Sequence, residues 1–424
     1  MAERAARKFG GAARRIARRW PLTASGAALL AAGAGLFAVG RARMDLVFTL
    51  VGLLWIGLLL LDGALVAAAA IALQLEVRRA SSGEARFEGV EGAPGRGGLE
   101  MPRRALPLVA RPRALWLEPA ADAEFVPDDG WLREEVRPRG RWNGTSIVRE
   151  IAQEDLLGLW RVSGRFAEAR PSFVLPDPGA IAVAELAACL ASGDLLSHPW
   201  GPARGDLIDA RPYTRSDPAR LILWKVYARS RRLVVRAPEQ ARAPERRPLV
   251  YLVAGEGDDA AAAAARVVVE SALLGEGMRF AADGAPRPAA DCAAALAAVA
   301  GSAAHRGRGG ADLAAALADP LVEADDPVLL IVPARLGDWA PRVFAAVGAA
   351  QERFVALLCA DVRPESRPGG AARRILFAQE RPSGPTWDEM RASARLFAAA
   401  GVRAALLDRR AGRIEALEAR AEAR

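Results

Sequence analysis

Histidine, lysine and cysteine are scarce in this chain of 424 residues. Two histidines, His198 and His305, are too few for a histidine-based metal centre. Three cysteines, Cys189, Cys292 and Cys359, are odd in number and widely spaced. That spacing excludes a disulfide framework and fits a reducing compartment. Lysine occurs only at Lys8 and Lys225, so nearly all positive charge is arginine. Aromatic residues make up 6% of the chain, and the 52% apolar content leans on alanine, a habit of composition rather than a sign of function. No nucleophile elbow is recognisable, which leaves little support for a hydrolase.

The net charge of +8 invites a nucleic-acid reading, but its location argues otherwise. Arg4, Arg7, Lys8, Arg14, Arg15, Arg18 and Arg19 precede Trp20 against the single acid Glu3. Arg41 and Arg43 flank two apolar runs. With these set aside, the rest of the chain is close to neutral. No nucleic-acid partner is expected.

What is present is a long apolar stretch. Leu22–Gly40 carries no charge, and a second run from Leu46 to about Leu73 is broken only by Asp62. Each is long enough to cross a bilayer, so residues 21–74 read as a transmembrane helical hairpin behind a basic segment, 1–20. A signal peptide fits poorly, because a second apolar run follows at once. Gly33 and Gly35 suit close helix packing. Seven bases before the first helix outweigh two in the loop, which places the N-terminus and everything after Arg78 in the cytoplasm. Asp62 reads either as an intramembrane functional carboxylate or as the mark where the span ends near Leu61, with helix continuing over Ala64–Leu73.

Residues 75–185 are rich in glycine, proline and short apolar runs: LQLEV, RALPLVA, ALWLEP, WLREEV, SIVREI and FVLPD. This spacing predicts a small antiparallel β-sandwich. Asn143-Gly144-Thr145 matches a glycosylation sequon but reads more simply as a hairpin turn.

Residues 186–240 contain the most distinctive segment. Ser216-Asp217-Pro218 predicts a helix start, with the helix running to about Arg229. Leu221, Trp224 and Ala228 share one face, so Trp224 is expected to anchor the helix to the body. Lys225 and Arg229 lie side by side. Leu233–Arg236 reads as a strand. The segment resembles the bacterial domain-of-unknown-function 58 family, whose hallmark is R-E-Y-x-x-G-D-x-x-R-x-I-x-W-K-x-x-A-R and then a strand ending in arginine and acids. Arg211, Tyr213, Asp217, Arg220, Ile222, Trp224, Lys225, Ala228, Arg229, Arg236 and Glu239 match. Pro212 and Ser216 depart from it. Arg139-Gly140-Arg141-Trp142 and Asp155-Leu156-Leu157-Gly158-Leu159 are similar to further elements of the family.

Beyond residue 240, short buried strands alternate with helices. Strands are expected at Leu249–Ala254, Met278–Ala282, Val328–Val332, Phe354–Cys359 and Val402–Leu407. Helices are expected at Ala260–Leu274, Ala289–Val299, Asp312–Ala318, Trp387–Ala399 and Arg409–Arg424. This pattern predicts a doubly wound parallel sheet over 241–424, with any ligand at the carboxyl ends of its strands. Gly255-Glu256-Gly257 lacks the third glycine of a dinucleotide loop, and its acids repel phosphate.

The resemblance implies that 241–424 is a von Willebrand factor A-like domain. Intact versions hold a divalent cation through D-x-S-x-S, a distant threonine and a later aspartate. Here the first loop has no serine, Ala311 stands where the threonine would be, and Asp338 matches the last position. No cofactor is expected from so degenerate a site. The resemblance also implies a partner, an AAA ATPase of the MoxR class. The leading expectation is a non-enzymatic scaffold or adaptor at the bacterial inner membrane. A cation-dependent adhesion-type module using Asp258, Asp259 and Asp338, and an envelope-related enzyme, are the alternatives.

Overall fold

The computed structural model describes residues 21–80, 86–103, 109–191, 209–212, 223–237, 248–273, 277–289, 291–348, 351–363 and 384–417. It opens with two long apolar helices, α1 (Ala24–Arg43) and α2 (Leu46–Ala80). Thr23 caps α1, its hydroxyl accepting the Gly26 N–H at 3.2 Å. Asp45 starts α2 by accepting the Val47 N–H at 2.9 Å. Both helices are long and apolar enough to cross a membrane.

The helices meet through small residues. A Cβ added to Gly40 would lie 2.5 Å from the Thr49 nitrogen, and one added to Gly52 would lie 2.6 Å from the Phe37 nitrogen. Gly33 faces Trp55 in the same seam, whereas Gly35, expected beside it, has open space around its Cα.

LQLEV, expected as a strand, is instead the last part of α2. The reason is periodicity: Val66, Ala70, Leu73 and Val77 recur at helical spacing and are all buried. The helix therefore continues past Asp62 onto the sheet that follows. Asp62 is 8% exposed, and the next residue, Gly63, lies against the Trp160 ring.

Nine strands follow among the described residues: β1 (Phe87–Val90), β2 (Gly95–Pro102), β3 (Arg113–Glu118), β4 (Ala121–Asp128), β5 (Trp131–Pro138), β6 (Trp142–Gly144), β7 (Ile147–Glu154), β8 (Arg161–Glu168) and β9 (Ser172–Leu175). They form an antiparallel six-stranded sheet, β2-β5-β4-β3-β7-β8, and a three-stranded sheet, β1-β9-β6. Asn143-Gly144 is not the expected hairpin turn. It lies in β6, paired with Phe173 and Ser172 of β9. Of the expected run at 104–110, only Val109 and Ala110 fall among the described residues.

One face of the six-stranded sheet carries the core. Leu73 and Val77 of α2 cluster with Leu99, Ala114, Phe125, Leu132 and Ile151 at one end of that face. Phe87 and Val174 of the smaller sheet cluster with Trp116, Val136 and Ile147 at the other. Between the two clusters runs a buried ionic layer. The Trp116 indole donates to Glu134 at 2.7 Å, and Arg149 donates to Glu134 at 3.3 Å and to Glu168 at 2.6 Å. Burial pushes the Glu134 carboxyl up, opposed by Arg149 and the indole. The sheet's other face carries exposed residues such as Leu115, Val126 and Trp131, as antiparallel sheets allow.

The chain divides into two compact units after Asp177, with Val299–Ala304 belonging to the first. The second unit begins with α3 (Val183–Ala191), whose first three residues fall at the end of the stretch expected to be sandwich. A small antiparallel pair, β10 (Asp209–Pro212) and β11 (Val234–Ala237), flanks α4 (Trp224–Ser230). An α/β sheet follows, from β12 (Leu249–Leu252), α5 (Asp259–Glu270), β13 (Arg279–Ala282), α6 (Cys292–Gly301), α7 (Leu313–Leu317), β14 (Val328–Pro333), α8 (Ala340–Val347), β15 (Phe354–Ala360), α9 (Trp387–Ala399), β16 (Arg403–Asp408) and β17 (Arg413–Leu417). Its order is β13-β12-β14-β15-β16-β17, parallel except for β17. This is the order of a doubly wound sheet, with its reversal between β12 and β14.

The final segment corrects another expectation. Arg409–Arg424 was expected to be helical, but Arg413–Leu417 is the antiparallel edge strand, and 418–424 lie outside the described residues. Tertiary partners override helix propensity here. Glu415 accepts two bonds from Arg391 of α9 at 3.1 and 3.0 Å, and the Arg413 guanidinium lies 4.6 Å from the Trp387 ring centroid.

The helix seam makes a direct prediction. Gly52→Leu forces the two helices apart and should destabilise the detergent-solubilised chain by about 1–3 kcal/mol, read as earlier thermal unfolding. Gly57→Leu, at a position with nothing within 4 Å, should leave the transition in place.

Candidate functional site

Two places merit description: the segment that carries the family resemblance, and the carboxyl edge of the α/β sheet. In the first, α4 is a short helix of about two turns held by its ends. The Leu223 N–H donates to the Val234 carbonyl at 2.8 Å, and Arg231 closes the helix in the left-handed region at φ 53. No residue of α4 is buried. Trp224 is 59% exposed, against the expectation that it anchors the helix to the body. It is the first helical residue, and its ring meets Tyr227 edge-on at 6.2 Å instead of entering the core. Ala228, expected on the same anchoring face, is also exposed. Lys225 and Arg229 stand exposed one turn apart.

Arg211 and Arg236 sit on the paired strands β10 and β11, at neighbouring register positions: Arg211 opposite Val235, and Ala210 opposite Arg236. The expected strand Leu233–Arg236 is found one residue later. Tyr213, Asp217, Arg220 and Glu239, with the expected helix start at Ser216-Asp217-Pro218, lie outside the described residues.

The second place is the crevice where the strand order reverses, the usual ligand position on such a sheet. In this chain the crevice is filled. Trp339, 3% exposed, packs against Gly255 and Gly309, with its ring 3.0 Å from where a Gly255 Cβ would sit. Asp283 ties the surrounding loops together. It accepts the Tyr251 hydroxyl at 2.7 Å, the Ala254 N–H at 2.7 Å and the Gly310 N–H at 2.8 Å. Burial pushes the Asp283 carboxyl up, while its hydrogen bonds oppose the shift. Burial and the neighbouring carboxylate also push the Tyr251 phenol up. Asp283 escaped the sequence reading, although an aspartate closing a buried strand and followed by glycine is a readable signal. Gly284 has φ +88, a conformation other residues rarely take.

The carboxylates named for a cation are engaged differently. Arg306 donates to Asp258 at 2.9 Å and also pairs with Asp259. The other Asp258 oxygen accepts the Gly255 N–H at 2.9 Å. Asp338 is exposed. A guanidinium thus stands against both first-loop carboxylates, and Ala311 brings no hydroxyl. These residues do not fit the cation that an intact von Willebrand factor A-like site would hold.

Asp283 supports a stability prediction. Asp283→Ala leaves two backbone N–H groups and a phenol unpaired and should cost about 2–4 kcal/mol. Asp283→Asn keeps an acceptor for the backbone pair and should cost less. Because the folded carboxyl titrates above the unfolded one, its contribution is complete below about pH 3.9 and is lost as pH rises through the folded value. Urea unfolding of the full chain in detergent across that window should show a steeper loss for the wild type than for Asp283→Asn, in which Glu134 still titrates. Comparison with known proteins finds no family model, curated protein or solved structure that matches this chain.

Proposed function

We propose that this chain is a non-enzymatic, membrane-anchored scaffold or adaptor, which presents interaction domains at the cytoplasmic face of a bacterial inner membrane to an AAA ATPase of the MoxR class. The observation that carries this reading is the exposure of α4. A helix with Trp224, Val226, Lys225 and Arg229 all in solvent combines an aromatic with basic residues, the composition that dominates binding energy at interfaces. Its positive charge suits an acidic partner surface, where charge sets on-rate and specificity more than affinity.

The apolar helices α1 and α2 serve as the anchor, and the seven bases ahead of them favour a cytoplasmic N-terminus. The parallel sheet order is compatible with a von Willebrand factor A-like domain. Trp339 filling the crevice favours binding on the surface over chemistry within it. Arg306 against Asp258 and Asp259 weighs against the cation-dependent alternative. The ATPase itself comes from the family resemblance.

Capture of the MoxR-type ATPase of the same organism by the full-length protein tests the proposal. Wild type should retain it, and Trp224→Ala and Arg229→Glu should each weaken capture about tenfold, the effect of losing roughly 1.4 kcal/mol. Retention of the ATPase by both variants at wild-type level would remove α4 from the interface. No capture by the wild type would end the ATPase assignment.

A further inference from the structure

The turn between β7 and β8 has a surface that neither the scaffold reading nor the sheet explains. It reads Asp155-Leu156-Leu157-Gly158-Leu159-Trp160, and its two leading leucines are 66% and 75% exposed. Neighbouring large apolar side chains at a hairpin tip are unusual without something to cover them. The tip is also built with care. The Asp155 carboxylate accepts the Leu157 N–H at 2.9 Å and the Trp160 N–H at 2.6 Å. Gly158 takes φ +69, the left-handed geometry that turns the chain back. Both leucines therefore project from a fixed turn.

This turn is bonded to the start of α1. The Thr23 N–H donates to the Leu159 carbonyl at 2.9 Å, and the Arg161 N–H donates to the Pro21 carbonyl at 2.7 Å. The Thr23 hydroxyl donates to the Gly158 carbonyl at 2.7 Å. Gly26 sits so close to the Leu159 carbonyl that any side chain there would collide with it. On the other helix, Gly63 receives the Trp160 ring. The turn is thus level with the first turn of α1. From there α1 runs 20 residues to Arg43, about 30 Å, the thickness of a hydrocarbon core.

We propose that the β7–β8 turn is a membrane-dipping element, with Leu156 and Leu157 entering the acyl region of the same bilayer that α1 and α2 cross. Trp160 lies at the interface, where the amphipathic indole ring is favoured. The occupant follows from continuity: the backbone that carries the leucines is hydrogen-bonded to the residues that enter the span. The sandwich is then held at the membrane by its own tip as well as by the covalent chain. This inference rests on the membrane reading above, and its test separates the two.

Single cysteines are introduced by Leu157→Cys at the turn and by Leu54→Cys on the exposed face of the first half of α2. The full chain carries Cys189→Ala, Cys292→Ser and Cys359→Ala. Each variant is labelled with an environment-sensitive fluorophore and reconstituted into phosphatidylcholine–phosphatidylglycerol vesicles. Nitroxide-bearing lipids then quench from either end of the acyl chain. The Leu157 label should lose most of its emission to the nitroxide near the headgroup, and the Leu54 label to the one near the methyl terminus. A Leu157 label left bright beside a quenched Leu54 label overturns the dipping turn and leaves the anchor standing. If both labels stay bright, the membrane reading fails and takes this inference with it.

Discussion

The structure of the first unit depends on α2 being one unbroken helix with two partners. Along its first half it meets α1 through Gly40, Gly52 and Gly33, and along its second half it buries Val66 and Ala70 and packs Leu73 and Val77 on the six-stranded sheet. A helix of 35 residues spans roughly 50 Å. With no proline to kink it, its direction in one half fixes its direction in the other. The orientation of the hairpin and that of the six-stranded sheet are therefore a single structural choice. Gly63 marks the handover, where the α1 seam gives way to Trp160 and then to the sheet.

That choice explains the arrangement of the sheet's inner face. Neither α2 nor the three-stranded sheet is large enough to cover it alone, so each takes one end. The seam between them is spanned by Glu134, Arg149 and Glu168, with Arg149 donating to both acids and the Trp116 indole to Glu134. Such a buried layer is a weak source of stability, but losing one partner strands the others. The second unit follows another logic. Its sheet is sealed by Asp283 and Trp339 at the edge where related architectures bind ligands, and a guanidinium lies against the carboxylates a cation would have required.

Much of the architecture was legible in the sequence because its signals are periodic. The apolar helices, four strands of the first unit (β3, β5, β7 and β9) and all five parallel strands follow from runs of apolar residues. The failures share a cause. LQLEV has the alternation of a strand over five residues, and only the longer spacing from Val66 to Val77 reveals the helix. Arg413–Leu417 has good local helix formers, and its pairing with β16 and with Arg391 is invisible until the chain is folded. Trp224 looked like an anchor because helix spacing says which residues share a face, not whether anything covers that face. Asp283, Arg306 and Trp339 converge from distant loops, so no local pattern announces them.

The continuity of α2 is the claim on which the account turns, and amide hydrogen exchange of the full chain in lipid nanodiscs measures it most directly. Burial in lipid and burial on the sheet both slow exchange, but only a single helix gives protection without a break. An unbroken α2 should exchange slowly from about Val51 through Val77, across Asp62 and Gly63. Fast exchange from Ala64 onward, beside slow exchange before Leu61, would contradict it.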